Sequence, residues 1–380
     1  MKAATANGER RSKKAGSFVR AVANRLRNWP EWVGYAAAVW SLFYGTLGLY
    51  WALGGAGFPF GTESDSGAAG ISILAGARAN TVAPIIAGLG LAGAVAAVAM
   101  ARGRSRSILR VVLLAFAWIV AATLAIFLPD YRVLVAVAYA PIAFVGAPFG
   151  WPPVNYFEAA LPWPVINQFL CIGGGLVWAG AALAYHRRVR GACGNCGRSD
   201  ARAGWTTPEA AARWGRWAVY VSFVVPILYA LTRGAWAVGI PLGITAEFLG
   251  ELQSTGLVWA GAGLAAVAVG GAFLTLGLIQ RWGEVFPRWV PLLSERRVPI
   301  PLAVVPASLV SVLVGAAGVM FVRLTLFGTF RLGERTLALD ENWAALAPEL
   351  LWPLWGAALG AATLAYYYRR RGACGHCGRG

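Results

Sequence analysis

Leu183 to Arg198 reads LAYHRRVRGACGNCGR, and Leu364 to Arg379 reads LAYYYRRRGACGHCGR. Twelve of the sixteen positions are identical, and each copy follows directly on a long apolar segment. A shared tag at the end of each half points to a tandem duplication. The tags also carry four of the five cysteines, Cys193, Cys196, Cys374 and Cys377, in two CxxC knuckles. Two knuckles supply the ligands of one tetrahedral metal site.

The segments upstream of each tag are built for a bilayer. The chain is 58% hydrophobic and 13% charged, with a mean hydropathy of +0.60. A typical soluble domain carries about 25% charged residues. Eight apolar stretches approach the roughly 20 residues of helix that cross a membrane. They lie near 31–53, 81–101, 108–128, 166–186, 214–237, 256–279, 301–326 and 350–368. The first 28 residues are basic and polar, and the first apolar run has the length of a full span. The expectation is therefore no cleavable signal peptide.

A net charge of +17 raises the question of a nucleic-acid partner. The distribution of that charge argues against one. With the N-terminus inside, the inner segments are 1–31, 102–110, 187–216, 281–297 and 369–380. They hold 27 of the 33 Lys/Arg but 6 of the 16 Asp/Glu. This is the positive-inside bias. It predicts a multi-pass protein of the plasma membrane with both termini cytosolic. The partners it implies are the lipid bilayer and, at the basic inner loops, anionic headgroups.

The expected organisation is a basic cytosolic tail (1–28), a four-helix repeat ending in a knuckle (29–198), a cytosolic linker (199–212) and a second such repeat (213–380). The first helices align at one offset: Trp32 with Trp217, Tyr35 with Tyr220, Tyr44 with Tyr229, Trp51 with Trp236. An even number of spans per repeat makes the two parallel, related by an axis along the membrane normal. The fold class is thus an all-α integral membrane protein of eight transmembrane helices in two parallel four-helix repeats. Thr207-Pro208-Glu209 reads as a helix start, with Thr as N-cap and Pro at the first helical position. Val133–Phe149 is apolar but short and matches nothing in the second repeat. A span there would carry the basic stretch after Tyr185 outside, so it reads as re-entrant or interfacial on the outer side. Gly57-Phe58-Pro59-Phe60-Gly61 has a similar texture and reads as interfacial anchoring.

Zinc takes four thiolates tetrahedrally, and CxxC lets one turn supply two of them. Arg187, Arg188, Arg190, Arg369, Arg370 and Arg371 stand beside the ligands and offset the negative charge of such a centre. A reducing cytosol keeps the thiols free. Gly356 and Gly360, with Gly175 and Ala179 at matching positions, form small-xxx-small steps. They predict that the fourth and eighth helices pack together and bring the tags into contact. Alternatively, each knuckle binds metal separately, completed by His376 or a second protomer. A redox reading also exists, because Cys374-Gly375-His376-Cys377 resembles the active-site tetrapeptide of disulfide isomerases. Here, however, the motif follows a helix C-terminus, where the dipole does not stabilise a thiolate. His186 aligns with Tyr367 and reads as an interfacial aromatic. Cys171 reads as a buried small hydrophobe.

The helix centres lack the ionisable residues that mark ion and proton pathways. Arg323, Glu247, Glu251, Asn167 and Gln168 lie near span ends and read as snorkelling or interfacial groups. The two histidines sit away from span centres, which disfavours haem, and no Walker, nucleophile-elbow or HExxH motif is present. Pro226 and Pro306 predict kinks inside their spans.

Tyr50-Trp51-Ala52-Leu53-Gly54-Gly55, the Gln280-Arg281-Trp282-Gly283-Glu284-Val285-Phe286-Pro287-Arg288-Trp289 loop and the CGxCGR tags resemble a group of uncharacterised polytopic membrane proteins from high-GC bacteria. The resemblance covers most of residues 30–379 and implies no assigned chemistry. The loop 280–289 reads as headgroup anchoring, with partner docking as the alternative. The leading functional expectation has no catalytic residues: a non-enzymatic scaffold or regulatory component of the cell envelope, clamped by a structural zinc. A transporter of a neutral or lipid-like small molecule and a membrane thiol oxidoreductase remain the alternatives.

Overall fold

The structure, a computed structural model, describes residues 28–61, 71–74, 76–103, 107–150, 155–199, 204–291, 293–327, 331–332, 335–336 and 341–380. The expected basic tail therefore lies outside the described residues, apart from Asn28. Among the described residues the fold is helical apart from one short β-ladder. The main helices are α1 (Trp29–Ala52), α2 (Ala79–Arg102), α3 (Ser107–Ala122), α4 (Tyr131–Gly146), α5 (Tyr156–Ala160) and α6 (Trp163–Val189). They continue with α7 (Pro208–Ala237), α8 (Ala246–Ser254), α9 (Leu257–Leu276), α10 (Ile300–Leu326), α11 (Ala347–Leu350) and α12 (Trp352–Arg370). The strands β1 (Arg331–Leu332) and β2 (Arg335–Thr336) form a two-residue antiparallel ladder between α10 and α11.

Among the described residues seven helical segments are long and apolar enough to cross a membrane: Ala79–Arg102, Ile108–Phe127, Tyr131–Phe149, Trp163–Val189, Pro208–Ala237, Leu257–Leu276 and Ile300–Leu326. The set differs from the expected eight. α1 and α12 are absent from it because Trp, Tyr and Gly dilute their hydropathy. The segment expected to be re-entrant or interfacial is present, because helix Tyr131–Gly146 runs on through a 3₁₀ turn at Ala147–Phe149.

Small residues decide how the helices meet. In lipid no hydrophobic gain separates helix–helix from helix–lipid contact, so close backbone approach carries the packing. A Cβ at Gly90 would lie 2.4 Å from the Gly45 Cα, which locks α1 against α2. A Cβ at Gly356 would lie 2.7 Å from the Gly315 Cα, which locks α12 against α10. One at Gly175 would lie 2.8 Å from the Ala125 Cβ. Ala125 belongs to a π-helical stretch, Thr123–Phe127, that ends α3. Gly360 faces the Ser311 Oγ of α10. Gly175 of α6 thus faces α3 and the π-helical stretch that ends it, and Gly356 and Gly360 of α12 face α10, which corrects the expected packing of α6 on α12. Such a step specifies a close neighbour without naming it.

The neighbour pattern recurs. In the first half α1 packs on α2 and α6, and α3 packs on α6. In the second, α7 packs on α9 and α12, and α10 packs on α12. The halves touch where α10 meets α4 and the π-helical stretch. The predicted start of α7 is present: the Thr207 side chain accepts from the Ala210 amide at 3.3 Å, with Pro208 as the first helical residue. α7 and α10 continue through Pro226 and Pro306.

Hydrogen bonds hold α4 at the end away from the tags. Gln168, early in α6, accepts from the Asp130 amide at 2.9 Å and donates to its carboxylate at 2.7 Å. The Tyr156 hydroxyl donates to the Ala136 carbonyl at 2.5 Å. The Tyr139 hydroxyl donates to the carbonyl of Ala260, early in α9, at 2.6 Å. The first half of α4 therefore lies level with the beginnings of α6 and α9.

Candidate metal centre

Each knuckle is a turn closed by its own backbone. In the first, the Cys193 amide donates to the Arg198 carbonyl at 2.9 Å and the Gly197 amide to the Cys193 carbonyl at 2.8 Å. In the second, the Cys374 amide donates to Arg379 at 2.9 Å and the Gly378 amide to Cys374 at 2.8 Å. The turn needs a left-handed residue after the second cysteine, and glycine fills that place at Gly197 (φ +73°) and Gly378 (φ +72°). The two turns are the same object, built twice from the same residues.

α6 and α12 deliver these turns to one place. The Cys193 and Cys374 sulfurs lie 4.0 Å apart and those of Cys196 and Cys377 3.6 Å apart. All four sulfurs lie within 4.8 Å of one another. A tetrahedral ion with metal–sulfur bonds of about 2.3 Å spaces its sulfurs by about 3.8 Å. The spacing therefore suits a single ion held by four thiolates. Cys196 is buried and the other three are partly exposed. All four ligands picked out in the sequence converge here. Cys171 is fully buried elsewhere, with its thiol 3.4 Å from the Tyr44 hydroxyl. His376 is exposed beside the site, and His186 Nε2 lies 3.4 Å from a guanidinium nitrogen of Arg190.

The sulfurs do not share one environment. Backbone hydrogen bonds from His376 and Cys377 bring the Cys374 thiol down to about 6. Burial pushes the Cys196 thiol up to about 12. At Cys193 burial is the largest influence and raises the pKa, yet amides of Cys196 and Asn195 help bring it below the ordinary thiol value. A coordinating metal deprotonates a thiol outright.

Arginines knit the two turns together. Arg198 donates to the carbonyls of Arg379 at 2.5 Å and Gly372 at 3.0 Å, and Arg379 donates back to the Arg198 carbonyl at 3.2 Å. The Arg379 and Arg198 carbonyls each already close their own knuckle, so the clasp is reciprocal. Arg371 donates to the Cys196 carbonyl at 3.2 Å and lies over the Tyr368 ring at 4.4 Å. Arg187 donates to the Gly194 and Asn195 carbonyls at 2.8 and 3.0 Å. These cations surround a centre that carries two net negative charges when four thiolates hold a divalent ion. Behind them, Arg188 caps the end of α2 through the Met100 and Ala101 carbonyls at 2.9 and 2.8 Å. Its counterpart Arg369 binds the Leu278 carbonyl after α9 at 2.8 Å.

Polar residues are also buried near the other end of the helices. Asn167 and Gln168, expected at an interface, are 0% and 4% exposed. Asn167 accepts from the Tyr44 hydroxyl at 2.9 Å. Arg233 and Glu349 form a buried ion pair, and Arg233 also donates to the Ala344 carbonyl at 2.9 Å. The Arg233 guanidinium lies over the Trp236 ring at 4.2 Å and the Tyr229 ring at 4.7 Å. One signal was available in the sequence: the 181-residue offset between the tags pairs Glu349 with Gln168.

Comparison with protein families, with curated proteins and with solved structures found no match.

Proposed function

We propose that the protein is a multi-pass membrane scaffold or regulatory component whose two four-helix repeats are clamped by one structural zinc ion. Cys193, Cys196, Cys374 and Cys377 hold the ion. The carrying observation is the convergence of four sulfurs from tags 181 residues apart onto one tetrahedron-sized site. Zinc suits this all-sulfur set and needs no open coordination position in a structural role.

In this reading α1, α2, α3, α6, α7, α9, α10 and α12 are the eight spans, and the repeats run parallel. The recurring neighbour pattern and the meeting of both tags at one end support it. α4 is then re-entrant, in keeping with its hydrogen bonds to the starts of α6 and α9. The basic segments support a cytosolic tag end, with the chain in the plasma membrane. The group of bacterial membrane proteins with the same motifs is the proposed kin.

The test is metal analysis of the purified chain. The clamp predicts about one zinc per chain, as four thiolates fill one site, and its loss in Cys374→Ser. Metal-free protein with readily formed disulfides overturns the clamp and favours the oxidoreductase.

A further inference from the structure

The segment joining α9 to α10 folds back on itself beside the second tag. The Phe286 amide donates to the Arg296 carbonyl at 3.0 Å, and the Val298 amide donates to Glu284 at 2.9 Å. Val285 and Arg297 form an antiparallel bridge. The base of this hairpin is hooked to the end of α12. Arg369 donates to the Glu284 carboxylate at 2.7 Å, and the Tyr366 hydroxyl to the Gly283 carbonyl at 2.7 Å. The hairpin is thereby fixed where α12 gives way to the tag.

Its outer surface combines two kinds of side chain. Trp289 is 81% exposed and Trp282 37%. Arg281, Arg288, Arg296 and Arg297 are exposed as well. The local acids are engaged, Glu284 by Arg369 and Glu295 by Arg288 at 2.8 Å. Among the described residues no ion pair neutralises Arg281, Arg296 or Arg297. α9 and α10 are both apolar and long enough to cross a membrane. A hairpin tied between them sits at the lipid–water boundary, where tryptophan partitions. Guanidinium groups pair well with phosphate oxygens. Only residues 103–106 join α2 to α3, so among the described residues the first half has no counterpart of this hairpin.

We propose that this hairpin is a binding surface for anionic phospholipid headgroups. Arg281, Arg296 and Arg297 contact the phosphates, and Trp289 seats among the headgroups. The surface is independent of the metal centre.

The test uses the full chain in nanodiscs of phosphatidylcholine with increasing phosphatidylglycerol. Native mass spectrometry counts the retained lipids. Hydrogen exchange reports protection of the hairpin amides. Wild type is expected to retain phosphatidylglycerol preferentially and to gain hairpin protection as its fraction rises. Each arginine at an anionic surface gives a roughly five-fold preference. Arg281→Ala/Arg296→Ala/Arg297→Ala is expected to abolish the enrichment while keeping wild-type exchange in the helices. Trp289→Ala is expected to lose hairpin protection and keep most of the enrichment. Equal retention of both lipids by wild type overturns the proposal, as does undiminished enrichment in the triple variant. Hairpin protection that is insensitive to lipid charge also overturns it and points to a protein partner.

Discussion

The two halves agree at one end and differ at the other. At the tag end Arg188 and Arg369 cap helix ends, Tyr185 and Tyr366 are each 1% exposed, and two identical turns present two cysteines each. At the far end the first half ties Asp130, at the start of α4, to Arg132 and to Gln168 of α6, whereas the second pairs Arg233 of α7 with Glu349 of α11. Four ligands around one ion tolerate little variation in either turn. The far ends have no common ligand to satisfy, so each buries its polar groups in its own way. On the proposed reading the common end carries the clamp.

The largest expected effect sharpens the contrast at the far end. Glu349→Ala leaves Arg233 buried without its carboxylate, and breaking a buried pair from one side costs about 3–5 kcal/mol. Gln168→Ala removes neutral and charge-assisted hydrogen bonds and costs about 1–3 kcal/mol. Thermal midpoints in detergent check both, with Glu349→Ala the lower. Equal losses would show that the two far ends are energetically alike.

Next come the glycine contacts that the halves share. Gly356→Val and Gly175→Val each force a side chain into facing backbone or a facing methyl, at about 1–3 kcal/mol or somewhat more. Matched losses in thermal midpoint are expected, because Gly175 presses against the end of α3 and Gly356 against α10 in equally close contacts. A loss at one position alone breaks the equivalence of the halves.

A smaller effect tests the clasp. Arg198→Ala removes two donors to the second tag and is expected to speed zinc loss to a chelator several-fold. Arg379→Ala acts in the same direction, whereas Arg190→Ala leaves the rate unchanged. Chelator competition at fixed pH reads this directly. Smallest of all is Arg288→Ala. It breaks a solvent-exposed pair and should leave the thermal midpoint where it was.

The tag end was legible because its information is local. CGxCGR fixes the turn, the ligands and the glycine at positive φ within a few residues. Thr207 and Pro208 announced the start of α7 for the same reason. The partners of Gly175 and Gly356 were not legible, since a small-residue step shows that some helix comes close but not which. The Arg233–Glu349 pair escaped because its members are 116 residues apart and a hydropathy average absorbs single charges. α4 was misleading in the opposite sense. Its length and composition place it among the candidate spans, while its hydrogen bonds tie it to the far ends of α6 and α9.

The central claim is one ion shared by both tags. X-ray absorption at the zinc edge on the purified wild-type chain tests it most directly. The account predicts a single shell of four sulfurs at about 2.3 Å. A shell mixing two sulfurs with nitrogen or oxygen would mean that each knuckle binds alone, and would contradict the clamp.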